Sequence, residues 1–141
     1  MKILIVGASF GGMTTAYELR KRLSSGQRDI TVISKDPRFT FIPSLPWVAL
    51  GSRSLDQISF DLAGSFARKD IEFVHAGVTR IEPETRQVFT DAGEYAYDVL
   101  VIATGHRSAN EAVPGLGPFD GPGHSLMSPP EAEKARSAFS I

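Results

Sequence analysis

The most constraining stretch of the chain is its beginning. An apolar run, Met1 to Val6, breaks at once into Gly7-Ala8-Ser9-Phe10-Gly11-Gly12. A short continuous apolar run ending in glycines reads as a strand buried on both faces, the kind found in parallel sheets. The spacing behind it predicts a helix from about Gly12 to Leu23, with Met13, Ala16, Leu19 or Tyr17, and Leu23 on its apolar side. Ser24-Ser25-Gly26 stops that helix, with Gly26 as its C-terminal cap. Ile30 to Ser34 is a second buried strand. The opening unit is therefore strand, glycine turn, helix, strand, with the right-handed crossover expected of parallel neighbours.

A tight turn between a buried strand and a helix aims the first amide N–H groups of the helix outward, at the positive end of its dipole. Such a place binds a pyrophosphate without a basic side chain. Gly7 permits the sharp turn and Gly12 permits close packing of helix on strand, while Phe10 and Gly11 complete the turn. The middle position of the Gly-x-Gly-x-x-Gly pattern is Ser9, whose hydroxyl can donate to a phosphate where a glycine would let the backbone approach. The alternative is an ordinary tight turn of an α/β protein. At the end of the second strand, where an acid would hold ribose hydroxyls, stand Ser34, Lys35 and Asp36. Ser34 can still hydrogen-bond a ribose. Lys35 either faces a second phosphate, as an NADP-type site requires, or is a solvated loop charge.

Further along, Pro37 to Gly51 is punctuated by prolines and carries Phe39, Phe41, Ile42, Leu45, Trp47, Val48 and Leu50. It reads as a long loop that lies against something flat or closes over the core. A weak helix from Asp61 to Lys69 precedes a strand at Ile71 to His75. Three short β segments follow, around Val78 to Glu82, Gln87 to Thr90 and Glu94 to Tyr97, with Pro83 ending the first and Asp91-Ala92-Gly93 turning between the last two. Val99 to Ala103 is a further buried parallel-type strand closed by Thr104-Gly105, and His106 to His124 reads as a Gly/Pro-rich loop. Ser128 caps a last helix, with Pro129 in its first turn, Glu131 completing a capping box, and Ala132, Ala135 and Phe139 as a narrow stripe. That helix is barely begun when the sequence stops at Ile141, so the chain is expected to have been cut from a longer one.

Composition narrows the function. With 141 residues the chain makes one ordinary domain. Fifteen basic against sixteen acidic residues leave a formal charge of -1, so no basic field exists to hold a nucleic-acid backbone. No apolar run approaches the length of a membrane span, and because the chain opens on a strand-like run no signal or transit segment is expected. There is no cysteine, which excludes disulfides, thiolate metal sites and thiol chemistry by these residues. His75, His106 and His124 have no ligand-like spacing, so no metal site is expected. Neither a Ser/His/Asp set at a nucleophile elbow nor an isolated carboxylate pair is present, and no catalytic residue is assigned.

Three separated stretches, GASFGG, FIPSLPWVALG and YDVLVIATG, point the same way. Together they resemble the FAD-dependent pyridine nucleotide-disulfide oxidoreductase superfamily, and within it the sulfide:quinone oxidoreductases and flavocytochrome sulfide dehydrogenases. The resemblance implies an α/β, Rossmann-like FAD/NAD(P)-binding domain. Its mostly parallel sheet has a small antiparallel β-meander beside it and is incomplete at the C-terminal side. Residues 1–105 would be the N-terminal part of that domain, and 106–141 a Gly/Pro-rich linker and the start of a helix leading to an absent second domain. Gly7, Ser9, Phe10, Gly11 and Gly12 would hold the FAD pyrophosphate, Ser34 and Lys35 would lie near the adenosine ribose, and the backbone of Val78 would meet the adenine. Ala103, Thr104 and Gly105 would pass beside the cofactor, with Pro43 and Ser44 close to the isoalloxazine.

In that family sulfide is oxidised through cysteine sulfurs beside the flavin, and electrons leave to a quinone. Here Met127 stands at the place of one such cysteine, and a thioether neither ionises nor forms a persulfide. Sulfide oxidation by the chain as it stands is therefore not expected. A longer parent would pass two electrons from NADH, an inorganic sulfur compound or another donor to a quinone. The alternative is a non-catalytic module that binds NAD(P) or FAD. An apolar face left open by the missing segments is expected to make the protein a homo-oligomer, in the cytoplasm or, for a full-length parent, peripheral to a membrane.

Overall fold

A computed structural model of the protein describes residues 1–23, 29–117 and 121–139. In chain order the strands are β1 (Lys2–Val6), β2 (Asp29–Ser34), β3 (Arg38–Thr40), β4 (Ser59–Asp61), β5 (Glu72–His75), β6 (Val78–Glu82), β7 (Gln87–Thr90), β8 (Gly93–Ala96) and β9 (Val99–Ile102). The α-helices are α1 (Phe10–Arg22), α2 (Leu45–Ala49), α3 (Leu62–Ala67) and α4 (Pro129–Phe139). The chain forms two compact units, Met1–Phe39 with Asp61–Gly105, and Thr40–Phe60 with His106–Ile141. β3 and β4 pair as a separate two-stranded ribbon.

In the first unit the apolar runs assemble as a four-stranded sheet in the order β5-β2-β1-β9, parallel throughout. β1 is central and buried on both faces, as a continuous run of Ile, Leu and Val requires. Its side chains alternate between two cores. Ile3 and Ile5 face Met13 and Ala16 of α1 and Leu62 and Phe66 of α3, together with Ile30, Val32, Phe39 and Ile71. Leu4 and Val6 join Ile33, Ala76 and Val88, against which Ile81, Tyr95 and Tyr97 pack. The second core is roofed by the antiparallel meander β6-β7-β8. Phe66 links ring contacts on either side, 5.8 Å from Tyr17 and 5.7 Å from Phe73 between centroids.

Helix α1 starts two residues earlier than its apolar spacing implies, because the glycines themselves take helical backbone behind the N-cap position, Ser9. Gly26 lies outside the described residues. The strand expected to be buried at Val99 to Ala103 is instead an edge strand that ends at Ile102. Val99 is 42% and Ile102 62% exposed, and no described strand pairs with its outer side. Apolar composition marked it as a parallel strand but says nothing about how many neighbours it has.

In the second unit the stretch read as a loop is partly helical. A 3-10 turn at Ile42–Ser44 runs into α2. Leu45, Val48 and Ala49 sit at helical spacing and are buried, while Pro46 falls in the first turn, where it costs no hydrogen bond. Leu45, Val48 and Ile58 form a small core with Ala132 of α4. Phe139, expected on the apolar stripe of α4, is 60% exposed, leaving Ala132 and Ala135 as the buried face. Buried Glu131 reaches back past Ser128: its Oε2 accepts the Met127 N–H at 3.0 Å and the Ser125 hydroxyl at 2.9 Å. The capping box is thus displaced by one residue at its backbone donor.

Candidate dinucleotide site at the carboxyl edge of the sheet

In sequence order the four parallel strands stand third, second, first, fourth. The order reverses between β1 and β9, and in open α/β sheets ligands bind in the crevice at such a switch point, beyond the carboxyl ends of the strands. Gly7 sits at that point with φ +102°, a conformation glycine adopts freely. Its N–H donates to the Ile33 carbonyl at 2.8 Å, which joins the end of β1 to β2. The Ala103 N–H donates to the Val6 carbonyl, also at 2.8 Å, which joins the end of β9 to β1. A Cβ on Gly7 would run into the Ala103 carbonyl, and one on Gly12 would run into the Gly7 carbonyl. The backbone here is closed up to a degree that only glycine allows. The space above Gly11 is less tight, with Ala103 Cβ 3.7 Å from an added methyl.

The helix that follows has an N-terminus without a side-chain cap. Ser9 occupies the N-cap position in extended backbone and makes no side-chain cap hydrogen bond, and the first turn of α1 carries no acidic residue. The first helical hydrogen bond is Met13 N–H to the Ser9 carbonyl, 2.9 Å, so the amides of Gly11 and Gly12 precede the ladder. Arg20, Lys21 and Arg22 in the last turn complement the dipole from the other end. The exposed Phe10 ring stands edge-on to Phe39, 5.1 Å between centroids.

Ser34 ends β2 one strand away from β1. Its hydroxyl oxygen accepts the Asp36 N–H at 3.2 Å and its carbonyl accepts the Ala76 N–H at 3.0 Å. Lys35 follows, exposed. Val78 opens β6 three residues after β5 ends, and the preceding Gly77 N–H is bound by Asp91 Oδ1 at 2.9 Å. Thr104 and Gly105 continue past β9, both exposed, with Gly105 at φ +73°. Gly7, Gly11, Gly12 and Ala103 thus come together, and Ser34 with Lys35 lies along the same carboxyl edge. Pro43 and Ser44 belong to the second unit, where Ser44 is 5% exposed and Pro43 open to solvent.

Two residues here escaped the sequence reading. His75 ends β5 in register with Ser34, and its Nε2 lies 3.0 Å from the Lys35 carbonyl. Asp91 belongs to the turn before β8 but serves Gly77, fourteen residues earlier. A signal for His75 existed, a polar ring at the carboxyl end of a parallel strand. Its neighbour in the sheet depends on strand order, which spacing does not carry. Among the described residues no group of three His, Cys, Asp or Glu could hold a metal ion, and no helix is long and apolar enough to cross a membrane.

The parallel sheet, the glycine cradle at its switch point and the meander define an α/β domain of the Rossmann-like, dinucleotide-binding type. A family model, pyridine nucleotide-disulphide oxidoreductase, matches residues 1–138, and the chain belongs to that family, which is FAD-binding. It is similar to the sulfide-quinone reductase of Aquifex aeolicus, 38% identical over 106 residues that make up 74% of this chain and 24% of the relative. It is also similar to a type II NADH:quinone oxidoreductase of Staphylococcus haemolyticus, 30% identical over 115 residues, 82% of this chain and 29% of the relative. Among solved structures, the sulfide:quinone oxidoreductase of Aquifex aeolicus superposes with a TM-score of 0.86 at 32% identity, covering 97% of this chain and 31% of that one. The chain therefore spans about a quarter to a third of the length of these relatives.

Proposed function

We propose that this chain is the FAD-binding portion of a flavoenzyme that passes two electrons from a donor to a quinone. The observation that carries the reading is the glycine cradle: Gly7 and Gly12 leave no room for a Cβ at the sheet's switch point, beside a helix end without an acid or a side-chain cap. Those residues fit a pyrophosphate, which needs close backbone approach and N–H donors rather than cations. In this reading Gly7, Ser9, Phe10, Gly11 and Gly12 hold the pyrophosphate and Ser34 with Lys35 meets the ribose. Val78 offers its backbone to the adenine, and Ala103 to Gly105 borders the flavin side. Bound FAD supplies reversible two-electron chemistry, and the residues named here bind and orient it.

The quinone as acceptor rests on two relatives whose names include it. Sulfide as donor finds no thiol within these residues, since the chain has no cysteine and Met127, half exposed, stands where the resemblance places one. NADH or another donor reduces the flavin in the longer protein, which works in the cytoplasm or at the surface of a quinone-containing membrane. The apolar outer edge of β9 supports self-association.

An absorption spectrum of the purified chain, with release and identification of any bound flavin, tests the reading. The expected result is a flavin spectrum, either as purified or after incubation with FAD, with the released cofactor identified as FAD. A chain that stays colourless after incubation with FAD overturns it.

A further inference from the structure

The carboxyl end of β2 is tied to the end of β5 by backbone and by a side chain. Ser34 and His75 are register partners across the sheet. The Ala76 N–H donates to the Ser34 carbonyl at 3.0 Å, and His75 Nε2 lies 3.0 Å from the Lys35 carbonyl. A carbonyl only accepts, so Nε2 carries the proton in this contact, either as the Nε2–H tautomer or as imidazolium. The Asp36 N–H closes the turn onto the Ser34 hydroxyl oxygen at 3.2 Å. The last residue of the strand and the two that follow it are thereby tied down, and two of the three ties come from the end of the neighbouring strand. With its oxygen already accepting from Asp36, the Ser34 hydroxyl still has its proton to donate and one lone pair to offer. A ribose hydroxyl uses both.

We propose that His75 is the positioning residue of the adenosine end of this site: by gripping the Lys35 carbonyl it holds the Ser34 hydroxyl in place to bind the ribose of an adenine dinucleotide. The inference rests on the reading of this edge as the FAD cradle. It assigns to a histidine on β5 a share of the task that an acid at the end of β2 performs where one is present. Ser34 is too short to reach far, so the backbone that carries it must be held. The histidine acts through Lys35 and Ser34 and touches no reacting atom.

The test compares the wild-type chain with His75→Ala and His75→Gln, since a glutamine amide places a donor near the position of Nε2. FAD and ADP are titrated into each by calorimetry, and thermal unfolding is followed without ligand. ADP carries the adenosine and diphosphate but no flavin, so it reports on this end of the site alone. The expected result is that His75→Ala weakens ADP and FAD by the same factor, about three- to tenfold as for one lost hydrogen bond. The unfolding temperature stays in place and His75→Gln regains most of the affinity. Unchanged ADP affinity in His75→Ala overturns the inference while leaving the FAD reading intact. So does a loss that tracks a lower unfolding temperature and is not recovered by His75→Gln. A wild-type chain that takes up neither ligand overturns the FAD reading and the inference with it.

Discussion

At the scale of single residues the site is a matter of missing atoms. Gly12 lies directly on the Gly7 carbonyl, and Gly7 on the Ala103 carbonyl, so three backbone segments from residues 7, 12 and 103 are in contact with no side chain between them. Gly12→Ala must push the helix off the strand. It is expected to lower stability by about 1–3 kcal/mol or more, as overpacking does, and to abolish FAD uptake. Denaturant unfolding and flavin absorbance check the two parts. Ser9 differs in kind. Replacing a serine N-cap by alanine ordinarily costs about 1 kcal/mol, but the Ser9 side chain makes no cap hydrogen bond here. Ser9→Ala is therefore expected to leave stability within about 0.5 kcal/mol while weakening FAD about threefold, the loss of one hydroxyl donor to phosphate. An equal affinity in the variant would show that the hydroxyl plays no part in binding.

Among the elements, α3 shows how a short helix is held. Six residues cannot sustain a helix alone. This one is fixed by burial of Leu62 and Phe66 and by Asp61, whose Oδ2 accepts the Gly64 N–H at 2.6 Å. Asp61→Ala is expected to cost about 1 kcal/mol in chemical denaturation, and Asp61→Asn a smaller amount, because asparagine caps as well. The weak helical pattern from Asp61 onward was legible because the cap residue and the apolar spacing agree. The segment from Pro43 was not. Its two prolines read as breakers, yet Pro46 occupies the first turn of α2, where the missing N–H would have no helical partner in any case. Local punctuation marks where a helix starts as readily as where one is forbidden, and only burial of Leu45 and Val48 tells the two apart.

Taken whole, the first unit has edge strands β5 and β9 among the described residues, and the edge at β9 is the one that ends on exposed Val99 and Ile102. β9 pairs with β1 alone among the described strands, and Val99 and Ile102 leave apolar surface along its free edge. Unpaired strand edges with apolar side chains pair with other chains unless something charged prevents it. The chain by itself is expected to run larger than a monomer in light scattering, and Val99→Lys to shift it toward the monomer. A monomeric wild type at moderate concentration would refute the self-association reading. The chain spans 24% and 29% of two quinone-linked relatives, so donor and acceptor are questions for the longer protein, and the cofactor is the one that these residues can answer.

What the sequence by itself determined is everything local: the buried strand at Lys2–Val6, the glycine turn, helix α1, the meander and the family to which their motifs belong. These follow from short-range rules, namely the two-residue period of strands, the three-to-four spacing of helices and the φ freedom of glycine. Tertiary structure decided the rest. Residues 7 and 103 meet because β9 pairs beside β1, and His75 meets Lys35 because β5 lies beside β2. β9 is an edge because of strand order, although its sequence has the apolar character of a buried strand. Hydrogen bonds between parallel strands are made by backbone, which is nearly the same at every residue. The sequence can say which segments are strands, but only the packing of their side chains against α1, α3 and the meander chooses which strand lies next to which.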